Sequence, residues 1–236
     1  IMLAGPGAAQ AQISDDAIRI GFITDLSGVY SGPDGPGGAE AIKMAIEEMG
    51  GAIDGKKIEL LVADHQNKAD IASTKTREWL DRDKVDAVTE LGNSAVALAA
   101  MKIAQEKGRM SIVTGAGAQR ISNEDCTPNN VHWVYDSYAL ANVGTKSLVK
   151  KGFKTWYYVT ADYAFGHSLE NDGRKFIEAA GGSVVGSSRY PFPGNDFASY
   201  IVKANGSKAN AVAIATAGLD LQNAIKQGRE FGLGTG

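Results

Sequence analysis

The sequence has little cysteine, little proline and no excess of one charge. Its 236 residues include a single cysteine, Cys126, so no internal disulfide can form and the fold must rest on packing. The 24 basic and 27 acidic residues give a net charge of -3 and are scattered along the chain. Because nucleic-acid binding requires a basic face, this distribution argues against a nucleic-acid partner. After residue 17 there is no run of 18 apolar residues, so no membrane span is predicted there.

The first 17 residues differ in character from the rest. They combine a short apolar run with Ala9-Gln10-Ala11, a small-x-small pattern of the kind that a signal peptidase cuts after. The segment is too short to span a membrane, which requires about 20 apolar residues. We therefore predict the remnant of a signal peptide over residues 1–17 and an exported, periplasmic protein. The alternative is a disordered tail.

Beyond residue 17, short β-branched apolar runs alternate with segments of helical periodicity. Predicted strands cover residues 18–24, 57–63, 86–91, 109–114, 131–135, 155–160, 183–190 and 211–215. Predicted helices cover residues 38–49, 71–80, 94–106, 138–150, 168–180, 196–204 and 219–231. Strands joined by one helix must run parallel, because the crossover returns the chain to the same end of the sheet. The fold class is therefore α/β.

A loop-like stretch over residues 115–130 precedes a fresh series of strands and helices, which indicates two lobes. We predict a first α/β lobe over residues 18–136 and a second, incomplete α/β lobe over residues 137–236, each with a doubly wound parallel sheet. A ligand cleft is expected between the lobes, because ligands bind beyond the carboxyl ends of the strands in such sheets.

The loops that follow the strands contain no recognisable catalytic set. The G-x-G-x-x-G motif of dinucleotide folds directly follows a strand. The glycines over residues 28–38 lie too far beyond the first predicted strand and are interleaved with proline, so they do not match it. No G-x-S-x-G elbow, Walker loop or Cys/His nucleophile pair is present. The three histidines are scattered without metal-ligand spacing. We therefore predict a binding protein that is not an enzyme, with no catalytic residues, no metal and no cofactor.

Three of these loops have the composition of ligand contacts, and each also has a simpler explanation. Asn93 or Ser94 can cap the following helix or hold a carboxylate. Residues 115–118 can bring the backbone to the cleft or form a plain turn. Tyr163 and Phe165 can stack on a ligand or pack across the interface between the lobes. The residues alone leave these alternatives open.

Several motifs in order resemble one known family. They are IGFITDLSGVYSG at residues 20–32, LGNSAVALAAMKIAQEK at 91–107, IVTGAGAQRIS at 112–122, TADYAFGHSLE at 160–170 and AIKQGREFGL at 224–233. From about residue 18 to residue 236 the chain resembles the type I periplasmic solute-binding proteins of ABC importers, in the subgroup typified by branched-chain amino acid receptors. The resemblance implies a monomeric two-lobed clamp that closes on a small carboxylate-bearing solute and delivers it to a membrane permease.

The resemblance also implies a set of ligand-binding residues. The helix start after the third strand and the loop after the fourth would hold the ligand carboxylate, and the matching residues are Asn93, Ser94, Ala95, Ala116 and Ala118. The loop after the first strand would cover the ligand with Ser27, Val29 and Tyr30. The second lobe would supply an aromatic side chain, Phe165, with Tyr163 beside it.

This chain departs from the amino acid binders in two ways. It has Ala95 and Gly117-Ala118 where those proteins carry hydroxyls, and Phe165 where they carry a tyrosine. We therefore expect an aromatic or otherwise apolar organic acid. An amino acid receptor of the same family and a ligand-sensing domain remain the alternatives. Family members run past this length, so the acidic residue that grips an α-ammonium is expected beyond Gly236, with the chain ending inside the second lobe.

Overall fold

The computed structural model describes residues 13–234 and arranges them around two sheets. The strands are β1 (Ala17–Thr24), β2 (Ala52–Ile53), β3 (Lys56–Asp64), β4 (Ala87–Glu90), β5 (Met110–Val113), β6 (Asn130–His132), β7 (Thr155–Ala161), β8 (Ser183–Tyr190) and β9 (Ala211–Ala215). The helices are α1 (Pro36–Glu48), α2 (Ala69–Asp81), α3 (Ser94–Glu106), α4 (Ser137–Lys150), α5 (Ala164–Ala179), α6 (Ala198–Gly206) and α7 (Gly218–Glu230). The predicted α/β architecture with two parallel-sheet lobes is confirmed.

The order of the strands places the cleft. The first sheet runs β2-β3-β1-β4-β5-β6 and the second runs β8-β7-β9. All neighbouring strands are parallel except β2 and β3, which form an antiparallel hairpin that the sequence pattern did not predict. The strand order reverses between β1 and β4 in the first sheet and between β7 and β9 in the second. Loops diverge at such switch points and leave a crevice at the carboxyl ends of the strands.

Each sheet has its own apolar core. In the first lobe, α2 and α3 bury Trp79, Val96 and Met101 against the sheet. Trp79 packs so tightly on β1 that a Cβ at Gly21 would lie 2.5 Å from its ring, which explains a glycine inside a buried strand. In the second lobe, Phe197 on the α6 side packs edge-on against Tyr190 of β8, with ring centroids 4.9 Å apart.

Helix α5 begins four residues earlier than the sequence pattern predicts. Its first residue is Ala164, so Tyr163 occupies the N-cap position and Phe165 lies in the first turn rather than in a loop. The reason is Gly166, where a Cβ would collide with the carbonyl oxygen of Ala161 at the end of β7. The missing side chain lets the helix start directly against the strand. The other predicted helices and strands lie within about two residues of the observed ones, except that the strand predicted over residues 131–135 already ends at His132.

The start of the described chain is tied to the first lobe. Strand β1 begins at Ala17, one residue before its predicted start, and Ser14 N donates to Asp86 Oδ1 at 2.8 Å. Residues 1–12 of the predicted signal segment lie outside the described residues. Within residues 13–234, no helix combines the length and the apolar character needed to cross a bilayer. The lobe boundary at residues 136 and 137 falls between the two sheets and stays a prediction.

Candidate functional site

A cavity of about 180 Å³ lies where the carboxyl ends of the two sheets face each other. It is lined by Tyr30, Pro33, Asp34, Gly92, Gly115, Gly117, Tyr135, Phe165, Ala217 and Gly218. Sites for drug-sized ligands usually occupy about 300–1,000 Å³, so this cavity fits a small solute. A larger groove of about 500 Å³ runs beside β9 and α7 on the outside of the second lobe, away from these strand ends. We therefore take the smaller cavity as the candidate site.

The loop after β1 is built around one buried carboxylate. Asp25 is fully buried and accepts hydrogen bonds from Gly28 N at 2.7 Å and from Tyr30 N at 2.8 Å. The amide of Asn67 donates to the same carboxylate at 2.5 Å. These bonds replace the water that the carboxylate loses on burial and fix the path of the loop. The loop consequently holds the Tyr30 ring, which is 4% exposed, against the opposite lobe.

The two lobes touch across the cleft through this loop. The Tyr30 hydroxyl is hydrogen-bonded to the Tyr163 hydroxyl, and both rings stack on Phe192, with centroids 5.6 Å and 4.2 Å away. At the start of α7, Leu219 N donates to Val29 O at 3.0 Å. The described conformation therefore has the first-lobe loop seated on the second lobe.

A second contact joins the lobes near the connection between them. Ser137 N donates to Gly117 O at 2.7 Å, and the Ser137 hydroxyl accepts from Gln119 N at 3.1 Å. The same hydroxyl donates to Asp172 Oδ2 at 2.7 Å, and Asp172 is 2% exposed. This buried network ties the loop after β5 to α4 and α5.

The helix start after β4 is paired with the loop after β5. Asn93 caps α3, since its side-chain oxygen accepts from Ala95 N at 2.9 Å and from Val96 N at 3.3 Å. The Ser94 hydroxyl accepts from Ala118 N at 3.2 Å. Asn93, Ser94 and Ala118 are fully buried or nearly so. The protein itself therefore uses part of the hydrogen-bonding capacity that the resemblance assigns to a ligand carboxylate.

Two carboxyl groups adjoin the first-lobe wall of the cavity. A Cβ on Gly92 would lie 2.5 Å from Asp34 Oδ2 and 2.9 Å from Glu90 Oε1, so both groups border the same point. Glu90 is 6% exposed, and its Oε2 accepts from the Thr114 hydroxyl at 2.6 Å. Its Oε1 is buried without a hydrogen-bond partner.

The surroundings of these two groups raise the pKa of both carboxyls toward neutrality, so the pair still carries negative charge near pH 7. Burial raises the pKa of Glu90 to about 7, and the nearby charge of Asp34 adds to the rise. Burial likewise raises the pKa of Asp34 to about 6, with a further contribution from the charge of Asp25. The backbone is unusual here as well, because Glu90 and Leu91 have φ values of 78° and 58°. Such conformations cost about 1–3 kcal/mol each and cluster at functional sites.

The structure distributes the predicted ligand-binding residues over three places. Tyr30 and Phe165 line the cavity together. Buried or partly buried behind the lining lie Asn93, Ser94, Ala95, Ala116, Ala118 and Tyr163. At the mouth, Val29 contacts the second lobe through its carbonyl oxygen, and the exposed Ser27 hydroxyl donates to Asp64 Oδ2 at 2.8 Å. A binding role for each of these residues stays a prediction.

Sequence reasoning missed Asp34, Glu90 and Tyr135. Glu90 had a readable signal, because it is an acidic residue at the end of an apolar strand and directly precedes the Leu91-Gly92 turn. Asp34 lies in the same glycine-rich loop as Asp25, and no sequence pattern there indicates that its carboxyl group lines a cavity. Tyr135 ends the strand that the sequence predicts over residues 131–135, but β6 stops at His132, and Tyr135 lies in the loop between β6 and α4 that borders the cavity.

Known proteins resemble this chain along most of its length. A family model described as periplasmic binding protein matches residues 17–236. A periplasmic binding protein from Burkholderia mallei is 49% identical with a TM-score of 0.91, over 93% of this chain and 59% of that one. A branched chain amino acid ABC transporter periplasmic ligand-binding protein from Burkholderia xenovorans LB400 is 35% identical with a TM-score of 0.73, over 92% and 58%.

A further similar structure contains a ligand. A solute-binding protein of an ABC transporter from R. palustris, in complex with benzoate, is 27% identical with a TM-score of 0.85, over 92% of this chain and 60% of that one. This chain therefore spans about three fifths of the length of these three relatives.

Proposed function

This chain belongs to the periplasmic binding protein family, and from that premise we propose that it is an extracytoplasmic solute-binding receptor of an ABC transporter. The cavity between the lobes carries the proposal, because it lies at the carboxyl ends of strands from both sheets and takes its walls from both. The receptor would close on its solute by a hinge motion and present it to a membrane permease.

A receptor role suits the side chains around the cavity better than catalysis. Among the described residues, those that line the cavity include no serine, cysteine or histidine that could act as a nucleophile or imidazole base. The walls are instead aromatic rings, glycine backbone, one proline, one alanine and one carboxyl group. Binding and release of a solute require no more than these.

We favour an aromatic or other small organic acid as the solute. Tyr30, Tyr135 and Phe165 offer aromatic surface on which a planar ring can stack. No lysine or arginine lines the described cavity, so a ligand carboxylate would be held by backbone N–H groups at helix starts and glycine turns. The R. palustris relative in complex with benzoate supports this class. An amino acid is the second candidate, and the Asp34–Glu90 carboxyl pair favours it because acidic groups attract an ammonium.

A thermal-shift screen tests the proposed function. The purified protein is heated with benzoates, aliphatic amino acids and dicarboxylates, each in a concentration series. A solute that binds only the native state raises the melting temperature, by an amount equivalent to about 2.7 kcal/mol at 100 times its Kd. A rise with aromatic acids supports the favoured class, and a rise with amino acids alone replaces that class while keeping the receptor role. The receptor proposal fails if no member of these classes shifts the melting temperature.

A further inference from the structure

We propose that Asp34 and Glu90 form a subsite that recognises a hydrogen-bond-donating group of the solute, a hydroxyl or an ammonium. The proposal rests on the proposed function, since it concerns the same cavity. Such a subsite would let the cavity discriminate between solutes by a hydrogen-bond donor, in addition to the stacking that its aromatic rings offer.

The first argument is the free acceptor atom of Glu90. Its Oε2 is occupied by the Thr114 hydroxyl, whereas Oε1 is buried and unpartnered in a side chain that is only 6% exposed. Several buried polar atoms of the described residues lack a partner, and Glu90 Oε1 is one that packs on glycines of the cavity lining. A donor supplied by a bound solute would satisfy this oxygen.

The second argument is the thin wall between Glu90 and the cavity. Gly92 and Gly115 both line the cavity, and a Cβ on either would collide with Glu90 Oε1, at 2.9 Å and 2.4 Å. A Cβ on Gly92 would also lie 2.5 Å from Asp34 Oδ2. The two carboxyl groups therefore pack directly on glycine backbone, and no side chain at these two positions separates them from the cavity.

The third argument is the polarity of the wall. Asp34 lines the cavity, Glu90 lies behind it, and no basic side chain among the described lining residues faces them. A ligand carboxylate would meet like charge here, whereas a hydroxyl or ammonium would be attracted. At the opposite wall α5 and α7 begin, and helix N-termini favour negative charge. The acidic residue there, Asp220 in the first turn of α7, is fully buried and accepts a hydrogen bond from Gly194 N at 2.8 Å. A solute with a donor at one end and a carboxylate at the other matches this arrangement. This orientation differs from the one implied by the family resemblance, in which the first lobe holds the carboxylate.

Matched solutes that differ by one donor test the subsite. Calorimetric titrations compare 4-hydroxybenzoate with benzoate, and L-phenylalanine with 3-phenylpropanoate, so that the two pairs separate a hydroxyl from an ammonium. We expect the donor-bearing member of one pair to bind at least about tenfold more tightly. In Glu90→Gln, the amide oxygen can take the Thr114 bond and the NH₂ group then faces the cavity, which reduces the preference to about threefold or less.

Two further variants make the result interpretable. Asp34→Asn is also expected to reduce the preference for the donor-bearing solute. If Glu90→Gln does not fold, the Asp34→Asn variant alone tests the subsite. Glu47→Gln, on an exposed part of α1, is the matched control and keeps the wild-type preference. Equal affinities within both pairs, or a preference unchanged in both cleft variants, overturn the subsite while leaving the receptor function standing. Failure of all four solutes to bind overturns the subsite and the solute classes of the proposed function together.

Discussion

The carboxyl group of Glu90 makes the stability of the protein depend on pH in a predictable direction. Its pKa is about 7 in the folded protein, against an ordinary value of 4.5. Between these values the folded state holds a proton that the unfolded state has released. The resulting stabilisation is complete below the unfolded pKa and is lost as the pH rises through the folded pKa. The difference between the two pKa values corresponds to about 3 kcal/mol.

Replacing Glu90 with glutamine removes this titration. Of the total, about 2 kcal/mol falls between about pH 5.5 and pH 8. We therefore expect Glu90→Gln to gain about 2 kcal/mol in unfolding free energy relative to wild type when the pH is raised over that interval. Urea unfolding followed by tryptophan fluorescence at both pH values measures this difference. Glu47→Gln is the control for the loss of one charge. A difference between Glu90→Gln and wild type that stays constant with pH would refute the reasoning.

Three further predictions concern the cleft. Phe165→Ala should weaken the binding of an aromatic solute more than that of an aliphatic one, and equal losses in titration would remove the stacking argument. Ser94→Ala should lower the unfolding free energy by on the order of 1 kcal/mol, because it removes the acceptor of Ala118 N, and should leave the Kd for a carboxylate unchanged; a weaker Kd would place the ligand carboxylate on the first lobe. Gly218→Ala should lower solute affinity by about tenfold or more, because a Cβ there would collide with the first-lobe loop. Gly181→Ala, which also has positive φ but open space around it, should leave affinity unchanged.

Most of the fold can be predicted from the sequence, because each strand or helix is indicated by the pattern of residues within its own segment. Apolar β-branched runs and helical periodicity locate the strands and helices, and parallel connections then dictate which end of each sheet carries the loops. The resemblance to type I periplasmic binding proteins of ABC transporters, read from the ordered motifs, is confirmed by the family model and the similar structures. The start of α5 was misplaced because the close packing of Gly166 on β7 is a tertiary effect.

The candidate site was less accessible to sequence reasoning. The pairing of Tyr30 with Tyr163, and of Asp34 with Glu90, joins residues that are far apart in the chain. Sequence periodicity indicates secondary structure and does not indicate contacts between distant residues. Family motifs identify only the positions that bind ligands in relatives. The unpartnered oxygen of Glu90 results from burial by residues of several loops, which no local sequence pattern indicates.

A titration of wild-type protein and Gly117→Leu with the strongest solute of the screen tests most directly whether the solute binds between the lobes. A Cβ at Gly117 would lie 3.1 Å from Phe165 and 3.3 Å from Tyr135, so a leucine side chain at this position would occupy the cavity. The account predicts that Gly117→Leu loses solute binding, whereas Gly144→Leu, where a side chain meets open space on α4, retains it. Unchanged affinity in a folded Gly117→Leu protein would place the solute elsewhere and contradict the account.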